Sequence, residues 1–265
     1  MKYSGKTAFI TGGASGIGKY LTEHLTANGA VVVCADINAN AGTTFVKGLN
    51  QSVPAPIAHF LQLDVTKRDA VFDAFERAHS MITKVDPKAR LDFVFPNAGV
   101  AARGFPYQQG GVNLSPINVN LIGVIYTIEA AVRYFRTHDV HPGRIVVTAS
   151  LSSVFPLNTD PLYTASKAGV LALVRATAAQ TVRDNIYVNA VGPGFTLTPL
   201  IPPEVERKLR RLGLSTTRDT VIRAFELFLD PSSKLYGQFA QAVDDEVVLC
   251  EYPTPNFKSH HNAKL

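Results

Sequence analysis

Tyr163 and Lys167 stand four residues apart in the run Tyr163-Thr-Ala-Ser-Lys167. Thirteen residues before the tyrosine, Ser150 closes an apolar run, Arg144-Ile-Val-Val-Thr-Ala-Ser150. On a helix, residues i and i+4 share a face, so an ammonium can lie beside a phenol. A free tyrosine titrates near pH ~10 and is a poor base at neutral pH. A neighbouring cation favours the phenolate and lowers that value. A serine hydroxyl can hold a substrate oxygen while the tyrosine moves the proton. These residue types at these spacings suit an acid–base device. Tyr-x-x-x-Lys alone fits equally well an amphipathic helix with one buried tyrosine and one solvated lysine, so the rest of the chain has to decide.

A second constellation lies near the N-terminus. The strand Thr7–Thr11 runs into Gly12-Gly13-Ala14-Ser15-Gly16-Ile17-Gly18 and then into a helix. Glycines let a backbone approach a pyrophosphate, and a helix N-terminus supplies amides and a favourable dipole. The order Gly-x-x-x-Gly-x-Gly differs from the common Gly-x-Gly-x-x-Gly, and no Gly-Lys-Ser/Thr follows, which disfavours ATP or GTP. The second strand ends at Asp36, followed by Ile37, eighteen residues after Gly18. A carboxylate there can accept from both ribose hydroxyls of an adenosine and would repel a 2′-phosphate, which selects NAD over NADP. Asp64 follows the third strand directly; it is placed to accept from an adenine amino group, with Val65 offering its backbone.

The elements that must carry these residues alternate along the chain. Apolar, β-branched runs at Thr7–Thr11, Val31–Ala35, His59–Leu63, Leu91–Phe95, Ile145–Ala149 and Ile186–Ala190 read as strands. Helical patterns separate them at Lys19–Asn28, Asn40–Leu49, Asp69–Thr83, Asn118–Arg136 and Pro161–Arg183. Continuous apolar strands between helices predict a parallel sheet covered on both faces. Right-handed crossovers then give one α/β domain with a doubly wound sheet, a Rossmann fold. Two short helices, Ile201–Leu212 and Val221–Leu229, and a last strand, Glu246–Cys250, are expected beyond Pro199. The domain is placed at residues 1–252, with a substrate loop and lid at about 196–235 and a tail from 253 to 265.

Bulk composition agrees with one folded domain. The chain has 265 residues, 46% of them hydrophobic and only 18% charged, enough for one large core and against extensive disorder. No apolar run is long enough to span a membrane, and the N-terminus has no signal-peptide pattern. Cys34 and Cys250 make no disulfide framework, and Cys34 in a core strand suits a reduced thiol; a cytoplasmic location is expected. No Cys/His cluster has zinc-ligand spacing, and His260-His261 reads as tail. Net charge is +5, with its densest cluster at Arg207-Lys208-Leu-Arg210-Arg211. No aromatic residues interleave there as a stacking platform would need, so the first reading is a solvated helix face and the second a contact with an anionic substrate group, not a nucleic-acid site.

Taken in order, these motifs resemble the short-chain dehydrogenase/reductase family over about residues 5 to 200. The matching segments are Thr11 to Gly18, Asp64-Val65, Pro96-Asn97-Ala98-Gly99, Asn120, the trio Ser150, Tyr163 and Lys167, and Pro193-Gly194-Phe-Thr196-Leu-Thr198. The flavour of the chain is similar to the 15-hydroxyprostaglandin dehydrogenase-like branch and to fungal alcohol dehydrogenases of secondary metabolism. Two features depart from the family's pattern: Pro96 replaces a polar residue, and the Asp-Gly-Gly pattern after the last strand is missing, which bears on subunit contacts.

The resemblance implies a mechanism and an assembly. Lys167 holds the nicotinamide ribose and, with the cofactor's positive ring, lowers the Tyr163 pKa. Tyr163 takes the hydroxyl proton of a secondary alcohol as hydride leaves, and Ser150, selected over Ser152 and Ser153 by its separation from Tyr163, steadies the carbonyl oxygen. Asn120 holds a water that relays protons from Lys167. Asn97, Ala98 and Gly99 floor the cofactor site, and Pro193, Gly194, Thr196 and Thr198 touch the nicotinamide carboxamide. A homodimer or homotetramer is expected through the helices at 118–136 and 163–183. Phe105, Tyr107, Phe155, Leu157, Phe195, Leu197, Leu200 and Ile201 suggest a bulky apolar alcohol of terpenoid, steroid-like or polyketide type. They fit a lid or a subunit interface as well. The alternative activity is redox-neutral, an isomerase, dehydratase or cyclase that uses bound NAD.

Overall fold

The structure, a computed structural model, describes residues 1–51, 53–102, 111–196, 204, 207 and 215–250. Eight strands form one sheet in the order β3-β2-β1-β4-β5-β6-β7-β8. The strands are β1 (Thr7–Thr11), β2 (Val31–Asp36), β3 (Ala58–Gln62), β4 (Phe93–Phe95), β5 (Gly143–Thr148), β6 (Ile186–Pro193), β7 (Phe239–Val243) and β8 (Glu246–Cys250). The helices are α1 (Gly16–Ala27), α2 (Ala39–Asn50), α3 (Arg68–Val85), α4 (Gly123–Thr137), α5 (Pro161–Thr181) and α6 (Arg218–Glu226). The first seven strands are parallel, and β8 runs antiparallel to β7.

The strands read as apolar runs because both faces of the sheet are covered. In β1, Phe9 packs with α3 and α4, while its neighbours Ala8 and Ile10 pack with α1 and α6. Successive side chains of a strand point to opposite faces, so both sets must be apolar. The chain winds outward from β1 to β3, then returns to the other side of β1 at β4. At that reversal the loops after β1 and β4 part, which opens a crevice at the carboxyl ends of the strands.

The sheet differs from the expected one at its far edge. β7 escapes a sequence reading because Gln241 interrupts a five-residue run. It pairs with β6, from Ala190↔Phe239 to Pro193↔Ala242. The two-residue turn Asp244-Asp245, with Asp244 at φ 48°, then folds β8 back, which makes the last strand antiparallel. α1 starts at Gly16, three residues before its apolar pattern does. The segment Ile201–Leu212, expected to be helical, lies outside the described residues except Glu204 and Arg207. The 252/253 domain boundary also lies outside them.

Arg144, read as part of an apolar strand, is a buried cation. Its guanidinium donates to the carbonyls of Phe228, Pro231 and Ser233 at 3.0–3.1 Å. It therefore ties β5 to the chain leaving α6. Among the described residues, no helix is long and apolar enough to cross a membrane.

Candidate active site

The crevice is a cavity of about 1260 Å³ along the carboxyl ends of the strands. At one end lies the glycine loop. Gly12 has φ +63°, and a Cβ there would sit 2.8 Å from the Ala98 Cα. Ser15, the N-cap of α1, makes no side-chain capping bond, and the first turn carries no acid. The first-turn amides of α1 are thus left for an anion, with Ser15, Gly16 and Ile17 lining the cavity. Gly18 does not line it. A Cβ there would lie 2.1 Å from the Gly12 carbonyl oxygen and 2.5 Å from the Asn97 amide nitrogen, so Gly18 is the packing point of helix against loop.

Two carboxylates follow. Asp36 is buried at the end of β2 and lines the cavity; it accepts from the backbone N–H of Ala14 (3.1 Å) and of Asn38 (3.0 Å). Exposed Ile37 lies beside it on the rim. Asp64 accepts from the Thr66 amide (2.9 Å) and hydroxyl (2.7 Å), closing the turn into α3. Asp64 and Val65 both face the cavity.

Asn97 joins three strand ends. Its amide nitrogen donates to the carbonyls of Thr11 (3.0 Å) and Gly12 (3.2 Å), and its carbonyl accepts from the Thr148 hydroxyl (2.9 Å). The Thr11 hydroxyl accepts from the Asn97 and Ala98 amides. Pro96 leaves this knot intact. Sequence reasoning names Thr11 only as the start of the glycine motif and misses both its role and Thr148, because their partners are distant in the chain.

At the other end the residues expected to do acid–base work converge. α5 places Tyr163 and Lys167 one turn apart, and Tyr163 is partly open to the cavity while Lys167 is buried. The Lys167 ammonium lies 5.8 Å from the phenol ring centroid and donates to the Thr148 carbonyl at 2.7 Å. A side-chain hydrogen bond links Ser150 to the phenol, and the Ser150 hydroxyl also accepts from the Ser152 amide at 3.1 Å.

The titrations run against the simplest expectation. Burial raises the Tyr163 pKa, against the lowering effect of the Ser150 bond, and the Asp160 carboxylate raises it further. Burial lowers Lys167 to about 8. In the protein alone, then, Lys167 does not produce the expected fall in the phenol. The ammonium is itself desolvated and turned toward a carbonyl.

Asn120 is fully buried in a π-helical turn, Ile117–Ile122, that leads into α4. Its carbonyl accepts from the Val100 amide (2.8 Å), and its amide donates to the Val100 carbonyl (2.9 Å) and the Ser166 hydroxyl (3.0 Å). The side chain is committed to these bonds and does not reach the cavity.

Pro193 ends β6, and Gly194, Phe195 and Thr196 continue along the wall. The Gly194 amide donates to the Ala242 carbonyl at 2.8 Å, and Thr196 bridges to Thr216. Ala98, Gly99, Phe155 and Leu157 also line the cavity. Thr198, Phe105, Tyr107, Leu197, Leu200, Ile201 and most of the basic cluster at 207–211 lie outside the described residues.

The chain is similar to known proteins over most of its length. The family described as short chain dehydrogenase matches residues 6–208. A short-chain dehydrogenase/reductase of Penicillium rubens, prx6, is 30% identical over 91% of this chain and 81% of its own length. The 15-hydroxyprostaglandin dehydrogenase [NAD(+)] of Rattus norvegicus is 29% identical over 92% of this chain and 89% of its own. Among solved structures, levodione reductase superposes with a TM-score of 0.79 at 22% identity, over 92% of this chain and 97% of that one.

Proposed function

The chain belongs to the short-chain dehydrogenase family of oxidoreductases, and we propose that it is an NAD-dependent dehydrogenase that interconverts a bulky, hydrophobic secondary alcohol and its ketone. One observation carries the reading. A single cavity runs from the glycine loop and Asp36 to Ser150, Tyr163 and Lys167. It has room for a dinucleotide at one end and a substrate at the other.

The residues present fit a dinucleotide. Gly12, Ser15, Gly16 and Ile17 would hold the pyrophosphate at uncapped amides, and Gly18 lets α1 approach the loop. Asp36 would accept from the adenosine ribose, beside Ile37, and Asp64-Val65 would border the adenine. Asn97, Ala98 and Gly99 would floor the site, and Pro193, Gly194, Thr196 and Thr198 would meet the nicotinamide end. NAD is favoured by Asp36 and by the likeness to a relative whose name specifies NAD(+). Bound there, the nicotinamide supplies the hydride acceptor.

Tyr163 takes the alcohol proton, and Ser150 holds the oxygen as carbonyl character develops. Lys167 would hold the nicotinamide ribose and, once turned toward the phenol, would favour its ionised form. Asn120 acts in a proton relay through its main chain, since its side chain is engaged. Phe155, Leu157 and Phe195 give the substrate end an apolar wall. An outward row of alanines on α5 (165, 168, 172, 176 and 179) suits close contact with a second copy, as a homodimer or homotetramer. Free Cys34 and Cys250 suit a reducing, cytoplasmic setting.

The test is product analysis with purified protein, NAD and a panel of bulky secondary alcohols. A ketone lighter by two hydrogens, formed one-for-one with NADH, is expected. Conversion without net NADH would replace this reading with a redox-neutral one.

A further inference from the structure

Asp160 is absent from the acid–base set, yet it is only 7% exposed and lines the same cavity. Its Oδ1 accepts from the Tyr163 backbone N–H at 3.0 Å and so caps α5. Its Oδ2 accepts from the Ala102 N–H at 2.9 Å. Ala102 belongs to the segment that leaves β4 and walls the cavity at Gly99, Val100 and Ala101. Two residues earlier, Asn120 holds that segment at both polar groups of Val100. Asn120 also donates to the Ser166 hydroxyl, and that hydroxyl donates to the Tyr163 carbonyl at 2.7 Å. The bonds close a ring: Tyr163 amide, Asp160, Ala102, Val100, Asn120, Ser166, Tyr163 carbonyl.

A cap alone needs one oxygen, and serine, threonine or asparagine supplies it without burying a charge. Two amides from different segments need two acceptor oxygens. Asparagine would turn its NH₂ toward one of those N–H groups.

We propose that Asp160 is a positioning residue that fixes the Val100–Ala102 wall in register with Tyr163, so that a bulky substrate and the phenol are placed together. The proposal rests on the dehydrogenase reading of the site. A second consequence is electrostatic: the carboxylate adds to burial in raising the phenol's pKa. Among the described residues Tyr163 is the titratable group that feels it, and Lys167 and Glu204 line the same cavity.

Three variants separate positioning from capping. Asp160→Ser keeps a capping oxygen for Tyr163 and is too short for Ala102. Ala102→Pro removes the N–H from the other side and leaves Asp160 in place. Asp160→Asn removes the charge at constant size. Each is assayed for melting temperature, NAD binding, and kcat and KM on a bulky alcohol. Tyr163 is titrated by tyrosinate absorbance as the difference from the matching Tyr163→Phe protein.

The serine and proline variants should fold and bind NAD as wild type does, and lose about 10- to 100-fold in kcat/KM. In Asp160→Asn the phenol should titrate at lower pH, and the acid limb of the rate profile should move the same way. Lower melting temperatures with wild-type kcat, KM and phenol titration would reduce Asp160 to a helix cap and overturn the proposal. Binding of a bulky alcohol to the NAD complex, followed by calorimetry, needs no turnover. Wild-type alcohol affinity in both Asp160→Ser and Ala102→Pro overturns the proposal even if no alcohol is oxidised, whereas weakened affinity without turnover in any of the proteins contradicts the dehydrogenase reading alone.

Discussion

Asp36 places a carboxylate at the end of β2 with its oxygens accepting from Ala14 and Asn38. It holds the glycine loop in shape as well as facing the cavity. Hydrogen bonds to a charged group contribute about 1.5–3 kcal/mol each, so Asp36→Ala should shift the kcat/KM ratio of NAD to NADP toward NADP by about 10- to 100-fold. Steady-state assays with both cofactors check this. Lys167 shows the opposing demand, because its pKa falls from 10.5 to about 8 on burial. Between those values the unfolded chain binds more protons than the folded one, so this residue's penalty is full below pH 8 and fades as pH rises to 10.5. The penalty is on the order of 3 kcal/mol, offset by about 1.5–3 kcal/mol from the charged bond to Thr148. Lys167→Met should therefore be more stable than wild type by about 1 kcal/mol at pH 7, with the gap closing toward pH 10 in urea melts, while activity is lost. Ser150, Tyr163 and Lys167 are legible in the sequence because their spacing is local. Asp160, Thr148 and the bonding role of Thr11 are not, because each acts through a partner that only the fold brings near.

At the scale of elements, the loop from β1 to α1 depends on close backbone approach. Gly18→Ala puts a methyl group 2.1 Å from a backbone carbonyl oxygen that cannot swing away. It should cost about 1–3 kcal/mol of stability and abolish NAD binding, as calorimetry would show. A second seam joins α3 to α4. His79 Nδ1 lies 2.9 Å from the Tyr134 hydroxyl, which accepts from the Leu91 amide, and the His79 and His138 rings lie 4.2 Å apart. Burial lowers the pKa of both histidines from 6.5, and each histidine also feels Arg90, against Glu76. Below pH 6.5 the unfolded chain protonates first, so stability should fall with acid. His138→Phe should make melting temperature less steep between pH 7 and 5. The strands β1 to β6 are readable as apolar runs, since both faces are covered. β7 is not: its five residues include Gln241, and only pairing with β6 identifies them as a strand. The direction of β8 follows from the Asp244-Asp245 turn and could not be read from its apolar pattern.

For the molecule as a whole, the two halves of the chain have separate tasks that meet in one cavity. The half from β1 to β3 brings the glycine loop, Asp36 and Asp64 to one end, and the half from β4 to β7 brings Ser150, Tyr163, Lys167 and the Pro193 wall to the other. Arg144 closes the second half by tying β5 to the chain after α6. The most direct test follows absorbance at 340 nm when wild type and Tyr163→Phe are mixed with saturating NAD and a bulky secondary alcohol, beside a measurement of NAD affinity. NADH formation by wild type, a loss of at least about 100-fold in the variant and equal NAD affinity in both are expected. Equal rates in the two proteins would contradict the role of Tyr163, and with it the reading of the site.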